Sequence, residues 1–287
     1  DIAVLNGSAG ILALLPLVYR PSTVVVLEPG FGDHSIQSSV WPSRLVRVML
    51  EPRNGLLYID EDRLLDATGR GRPLIIASNP NNPLGQPLAP ETLRLLEDAA
   101  EDARGALVVD EAFQPLSSLD PYRPRGDTTY RLWTPTKALA LPGLRAGALI
   151  GPGDLVDTVE RGRQPWPLDS VTYCFYTRLA REALDEAHRY ITEGRARILE
   201  WAPIQARLLN SIPGVRALPT VTAFMLLEHP GLCHPRLNTE LAARGVYVRD
   251  ASSFHGLTCM HSRVSVASPR RAMLLAQALR EAAGSWG

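Results

Sequence analysis

The chain has almost no lysine. Its 30 basic residues comprise 29 arginines and a single lysine, Lys137. The two residues exchange freely on surfaces, but a guanidinium with a pKa above ~12 cannot act as a neutral amine, so Lys137 is a candidate for chemistry that arginine cannot do. Cysteine is scarce as well. Cys174, Cys233 and Cys259 form an odd, irregularly spaced set, which excludes a disulfide-stapled miniprotein and points to a reducing compartment, with the cytoplasm as the default. Net charge is absent, because 30 acidic residues balance the 30 basic ones. No basic stripe interleaved with aromatics marks a nucleic-acid surface, so a small molecule is the expected partner. Long apolar runs are also missing. Residues 138–150 are interrupted by Pro142 and Arg145, short of the ~20 residues a membrane span needs. No signal-peptide pattern opens the chain, although Asp1 in place of Met leads us to expect that an N-terminal piece precedes it.

What is present is an ordinary globular composition, 45% hydrophobic and 21% charged over 287 residues, enough for about two domains. Residues 23–27, 74–77, 106–110, 130–133 and 146–150 read as strands, and residues 10–19, 90–104 and 153–161 carry helical periodicity between them. That alternation predicts a mostly parallel sheet covered on both faces. Helical pattern dominates residues 173–209, which we expect to link a large domain, residues 1–200, to a smaller α+β domain, residues 201–287. In the latter, strands are expected at 224–227, 246–249 and 263–266, with helices at 235–244 and 269–283.

Ligands of open parallel sheets sit beyond the carboxyl ends of the strands. Four predicted strand ends here carry polar clusters: Glu28-Pro29-Gly30-Phe31, Ser78-Asn79-Pro80-Asn81-Asn82-Pro83, Asp110-Glu111-Ala112-Phe113 and Thr134-Pro135-Thr136-Lys137. In addition, Asn6-Gly7-Ser8-Ala9-Gly10 precedes an apolar helix, whose N-terminal N–H groups and dipole favour an anion.

Taken together, these motifs resemble the class I/II aminotransferases, the fold-type I pyridoxal-phosphate enzymes. Residues 79–85 resemble that family's NPxNPTG stretch with Leu84 for threonine, residues 110–113 its DEAY stretch with Phe113 for tyrosine, and residues 134–147 its lysine signature. Arg263, in Ser262-Arg263-Val264-Ser265-Val266, resembles its carboxylate-binding arginine. The resemblance spans residues 5–280 and implies an α/β fold with a small C-terminal domain, a homodimer, and pyridoxal 5'-phosphate as cofactor. It further implies that Lys137 carries the cofactor as a Schiff base and then acts as acid and base at the substrate, and that Asp110 pairs with the pyridine nitrogen. By the same resemblance, Asn82 donates to the phenolic oxygen and also meets substrate, Phe31 stacks on the ring, and Phe113 lies beside it. Gly7, Ser8, Ala9, Thr134, Thr136 and Arg145 hold the phosphate, while Arg249 and Arg263 bind substrate.

The stretches Gln164-Pro165-Trp166 and Arg249-Asp250-Ala251-Ser252-Ser253-Phe254-His255-Gly256-Leu257 are similar to the threonine-phosphate decarboxylases of cobalamin synthesis, the favoured reading. A histidinol-phosphate-type aminotransferase is the alternative, and a truncated, non-enzymatic cofactor-binding homologue is a third. No metal is expected: Cys233-His234, His255, Cys259 and His261 lack the paired spacings of a zinc site. Nor is a dinucleotide fingerprint, a P-loop or a hydrolase elbow complete.

Overall fold

The computed structural model describes residues 1–36, 40–69 and 71–284, so the last three positions of the expected small domain lie outside the described residues. In chain order the elements are β1 (Ile2–Leu5), α1 (Gly7–Tyr19), β2 (Thr23–Glu28), α2 (Gly32–Ile36), β3 (Arg44–Met49), β4 (Glu51–Arg53), β5 (Leu56–Tyr58), α3 (Glu61–Thr68), β6 (Pro73–Ser78), α4 (Pro90–Asp102), β7 (Ala106–Asp110), β8 (Thr129–Trp133), β9 (Gly147–Ile150) and α5 (Gly153–Gly162). There follow α6 (Ser170–Glu182), α7 (Leu184–Asn210), β10 (Arg216–Ala217), β11 (Phe224–Glu228), α8 (Arg236–Ala242), β12 (Arg249–Asp250), β13 (His261–Ser265) and α9 (Pro269–Gly284).

The strands β2, β6 and β7 are buried at every position, as continuous Val, Leu and Ile runs are when helices cover both faces of a parallel sheet. Successive side chains of a strand point to opposite faces, and they feed two cores. Val25, Leu27, Ile75, Leu107 and Val109 join Leu64 of α3 and Leu96 of α4 on one side. Val24, Val26, Leu74, Ile76 and Val108 join Ile11 and Leu15 of α1 and Val156 and Val159 of α5 on the other. The result is three layers around a seven-stranded sheet in the order β1-β9-β8-β7-β6-β2-β3. Strands β3, β2, β6, β7 and β8 run parallel, and β9 is antiparallel to both β8 and β1. This is the predicted mostly parallel α/β architecture.

The long helical stretch is divided at Ala183 into α6 and α7. A second, antiparallel sheet, β10-β11-β13-β12, packs Met225, Leu227 and Val264 against α7, α8 and α9. On its other face Leu226, with Ala251 and Phe254 from the β12 side, joins a core of the large sheet.

Three local expectations need correction. Residues 246–248 form no strand: Val246 donates its N–H to Leu241 O at 3.0 Å, so it closes the end of α8, and only Arg249–Asp250 pairs in the sheet. The edge strands β1 and β3 and the helix α3 were not anticipated; β1 spans only four residues, and β3 carries Arg44 and Arg47 within its apolar run. The cysteine reasoning also fails, because Cys233 and Cys259 form a disulfide with their Cα atoms 4.9 Å apart. The backbone brings them together: His234 N–H donates to Cys259 O at 2.9 Å, a pairing across 26 residues that spacing could not reveal. The inference of a reducing compartment thereby loses its premise. Cys174 is free and exposed on α6. Among the described residues, no helix is long and apolar enough to cross a membrane.

Candidate active site

A cavity of about 200 Å³ opens beyond the carboxyl ends of β2, β6, β7 and β8, lined by Phe31, Asn82, Asp110, Phe113, Thr134, Thr136 and Lys137, together with Ser8, Ala9, Arg145 and Arg263. Eleven of the expected site residues therefore meet in one place. Gly7 does not line it but shapes it. With φ at +74°, a Cβ there would sit 2.7 Å from Arg145 Nη2, and a Cβ on Gly147 would come within 2.5 Å of Gly7 C and Ser8 N. Only glycine allows the start of α1, the start of β9 and the guanidinium to approach so closely. Arg249 stands apart: it is exposed, and its Nη2 donates to Ser253 Oγ at 3.0 Å.

The start of α1 is polar and unmet. Asn6 at its N-cap makes no side-chain capping bond, and the first turn contains no acidic residue. Against these free N–H groups lies Arg145, whose Nη1 donates to Pro142 O at 3.2 Å. Two positive features thus converge, an arrangement that an anion stabilises. Thr134 Oγ1 donates to Ala146 O at 2.6 Å, which leaves the Thr136 hydroxyl, 2.8 Å away, as the rotor that can turn toward that anion.

At the end of β7, Asp110 is buried at 5% exposure. Its Oδ1 accepts from Ala112 N–H at 2.9 Å and its Oδ2 meets His34 Nε2 at 3.1 Å. His34, buried on α2 with its ring edge-on to Phe31 at 5.6 Å, is a site residue that sequence reasoning missed. A lone histidine in a helix of five residues gives no local signal beyond its i+3 spacing from Phe31, which places the two on one side of a turn. Ser78, Pro80 and Ala112 of the predicted strand-end clusters also line the cavity, as does Asp33, which the sequence did not announce.

Lys137 follows β8 in a tight turn closed by Ala140 N–H to Lys137 O at 3.2 Å. Its side chain opens into the cavity, with Nζ 5.7 Å from the centre of the Phe113 ring. Desolvation by the surrounding wall, then the charges of Arg263 and Arg145, hold its amine below the usual lysine range, against an opposing pull from Asp110. An amine that sheds its proton more readily is the form a nucleophile needs. On the opposite wall, Arg263 Nη1 donates to Asn82 Oδ1, and burial lowers the guanidinium pKa.

Residues 1–279 match the family described as aminotransferase class I and II. The chain belongs to that family. It is 30% identical over 290 residues to the histidinol-phosphate aminotransferase of Caldanaerobacter subterraneus subsp. tengcongensis, covering 98% of this chain and 77% of that protein. Among solved structures, the histidinol-phosphate aminotransferase of Clostridium acetobutylicum superposes with a TM-score of 0.85 at 20% identity, over 99% of this chain and 84% of that one. The L-threonine-O-3-phosphate decarboxylase of Porphyromonas gingivalis does so with a TM-score of 0.82 at 22% identity, over 98% and 82%. At such identities the structural likeness concerns the fold, which is fold-type I.

Class I and II aminotransferases are pyridoxal-phosphate-dependent enzymes, and the cofactor expected from the sequence is the cofactor of the family. The cavity fits it at three separate points. The uncapped α1 turn beside Arg145 suits a phosphate, the buried Asp110 suits a protonated ring nitrogen, and the Lys137 amine opens between them.

Proposed function

We propose that this enzyme acts on a small phosphorylated α-amino acid in the manner of a threonine-phosphate decarboxylase, with Lys137 as its catalytic amine. The observation that carries the reading is the register of the second sheet. Arg249 and Arg263 are direct partners across β12 and β13, so their side chains leave the same face a few ångströms apart. Neither has a salt-bridge partner among the described residues, and the Arg249 charge adds to the lowering of the Arg263 pKa. Like charges directly opposite are destabilising, and a ligand bearing both a carboxylate and a phosphate relieves them.

When bound, pyridoxal phosphate supplies an electron-accepting ring that stabilises negative charge at the substrate's α-carbon. The chain's own residues do the rest. The first turn of α1, with Ser8, Ala9, Thr136 and Arg145, would hold the phosphate of the cofactor, and Phe31 would cover the ring. Asp110, held by Ala112 N–H and His34, would keep a proton on the ring nitrogen. Asn82, whose Oδ1 accepts from Arg263, would present its amide N–H to the phenolic oxygen. Phe113 contributes no hydroxyl at this point, so Asn82 carries that contact without help from position 113. Arg263 takes the substrate carboxylate as a bidentate partner, and Arg249 takes the distal phosphate. With the carboxyl group lost as CO2, the Lys137 ammonium would supply the proton that takes its place on the α-carbon. We take the working form to be a homodimer, which sedimentation would reveal.

Histidinol-phosphate transamination is a second reading, favoured by the name of the 30% identical relative. That substrate carries a phosphate but no carboxylate, so both arginines would face anionic groups together only in the half-reaction with the dicarboxylate 2-oxoglutarate. The cofactor-loaded protein should release CO2 and a phosphorylated amino alcohol from O-phospho-L-threonine. Glutamate formation from histidinol phosphate plus 2-oxoglutarate, without CO2 from phosphothreonine, would replace the first reading with the second. Inertness to both would favour a non-enzymatic homologue.

A further inference from the structure

Arg263 is an unusual cation: it is partly buried, lacks a carboxylate partner among the described residues, and donates to the neutral Asn82 amide. Two aromatic rings also lie close to it. Its Cζ lies 5.1 Å from the centre of the Phe224 ring and 5.9 Å from that of Phe254. Both distances are within the range in which an aromatic face attracts a guanidinium. Neither ring is free to drift. Phe224 is 4% exposed and stands edge-on to Phe113, 4.8 Å between centres at 78°. Its strand is tied to the large-sheet side through Thr220 Oγ1, which donates in this neighbourhood to Phe224 O or Gly85 O, and through Val221 N–H to Gly85 O at 2.9 Å. Phe254, 7% exposed, belongs to a core of the large sheet together with Val25, Leu27 and Leu226.

We propose that Phe224 and Phe254 are positioning residues that hold the Arg263 guanidinium by its π-faces, leaving one edge to Asn82 and the other to the substrate carboxylate. The inference rests on Arg263 being the carboxylate site. A surface carboxylate in place of the two rings would also steady the arginine, but it would occupy the edge that the substrate requires. Aromatic faces attract the cation from directions that leave its in-plane N–H donors unoccupied. Phe113 extends this contact, because it buttresses Phe224 edge-on.

Ring charge and ring volume can be separated by placing 3,4,5-trifluorophenylalanine at 224 or 254, which preserves shape while draining the negative face. In the cofactor-loaded protein, the Kd of O-phospho-L-threonine should rise by about three- to tenfold. The Kd of its counterpart lacking the carboxylate should stay unchanged, as should Tm. A second readout needs no turnover. In protein labelled with ¹⁵N-arginine, the Arg263 Nε–H resonance, assigned by its loss in Arg263→Lys, should move on Phe224→Leu as the ring current is removed. Fluorinated variants that bind both ligands like the native protein, while Arg263→Lys weakens only the carboxylate ligand, would overturn the proposal and leave the carboxylate role standing. Equal weakening of both ligands with a fall in Tm would also overturn it, because the rings would then only pack. If Arg263→Lys itself left carboxylate affinity unchanged, the reading beneath it would fail instead.

Discussion

On the large-sheet wall of the cleft, Asn82, Asp110 and Lys137 each lie within four residues of the carboxyl end of a parallel strand. On the small-sheet wall, Arg263, Phe224 and Phe254 come from places 30 and 39 positions apart (254 − 224 = 30; 263 − 224 = 39) and meet only through antiparallel register and side-chain packing. The first wall is made of short contiguous motifs, since a buried strand needs a polar exit and the turn that follows presents several side chains at once. The second is assembled from single residues. On the reading proposed above, chemistry at the reacting carbon belongs to the first wall and recognition of the substrate's anions to the second, so disturbances of the two should separate into different observables.

The largest effect should come from Lys137→Arg, which retains charge and bulk but removes the amine. Turnover should fall by at least roughly 10²–10⁴-fold, the scale of a lost acid–base group. Borohydride reduction of the loaded native protein should place the cofactor mass on one internal peptide, and on none in the variant. Labelling of the variant would break the assignment. Next, Asp110→Ala should lower kcat by about 10²–10³-fold and leave KM within a few-fold, because the electron demand peaks in the transition state. A change confined to KM would move Asp110 to the recognition wall.

The disulfide tests the second wall. Replacing both Cys233 and Cys259 by serine opens a loop across 26 residues, and chain entropy sets the loss at about 3.5 kcal/mol of unfolding free energy. Because β13 and Arg263 follow Cys259 directly, substrate KM should rise while cofactor attachment at Lys137 persists. Loss of both together would show that the walls are not separable.

A related effect of similar size depends on pH. His229, fully buried and bonded to Leu232 O at 2.6 Å and Ser262 Oγ at 2.8 Å, is held by desolvation at a pKa of about 4, down from the usual 6.5. The unfolded chain takes up this proton first, so stability present above pH 6.5 is lost as pH falls toward 4, by at most roughly 3 kcal/mol. Denaturant midpoints between pH 7 and 4 should show that slope, and His229→Asn should flatten it. An unchanged slope in the variant would assign the acid limb to other groups.

Much of the fold was legible because its central strands β2, β6 and β7 are apolar at all but their terminal positions, a pattern that a solvent-exposed strand cannot sustain. Strands β1 and β3 were missed since an edge strand is half exposed and its polar residues blur the pattern. Asn82, Asp110, Lys137 and Arg145 were legible through their neighbours in sequence. His34 was not, because its partner Asp110 lies 76 residues away. Arg249 was expected beside the substrate, and the fold sets it next to Arg263 but outside the cavity lining. Phe224 and Phe254 carried no signal at all: a phenylalanine in an apolar strand or after a turn is ordinary core until a cation is found against its face.

By itself the sequence determined that a lone lysine follows a strand end, that three further strand ends carry polar clusters, and that the order of elements yields a parallel, doubly covered sheet. These are local facts, set by period-2 burial and by the turn chemistry at each strand's exit. Only the tertiary structure decided that Cys233 meets Cys259, that Asp110 leans on His34, and that Arg263 lies 5.1 and 5.9 Å from two aromatic ring centres with its neighbour Arg249 on the same face. Each of those is a contact between distant segments. Its existence depends on which backbones pair and on the burial that leaves a side chain no other partner, and neither quantity is carried by any short stretch of chain.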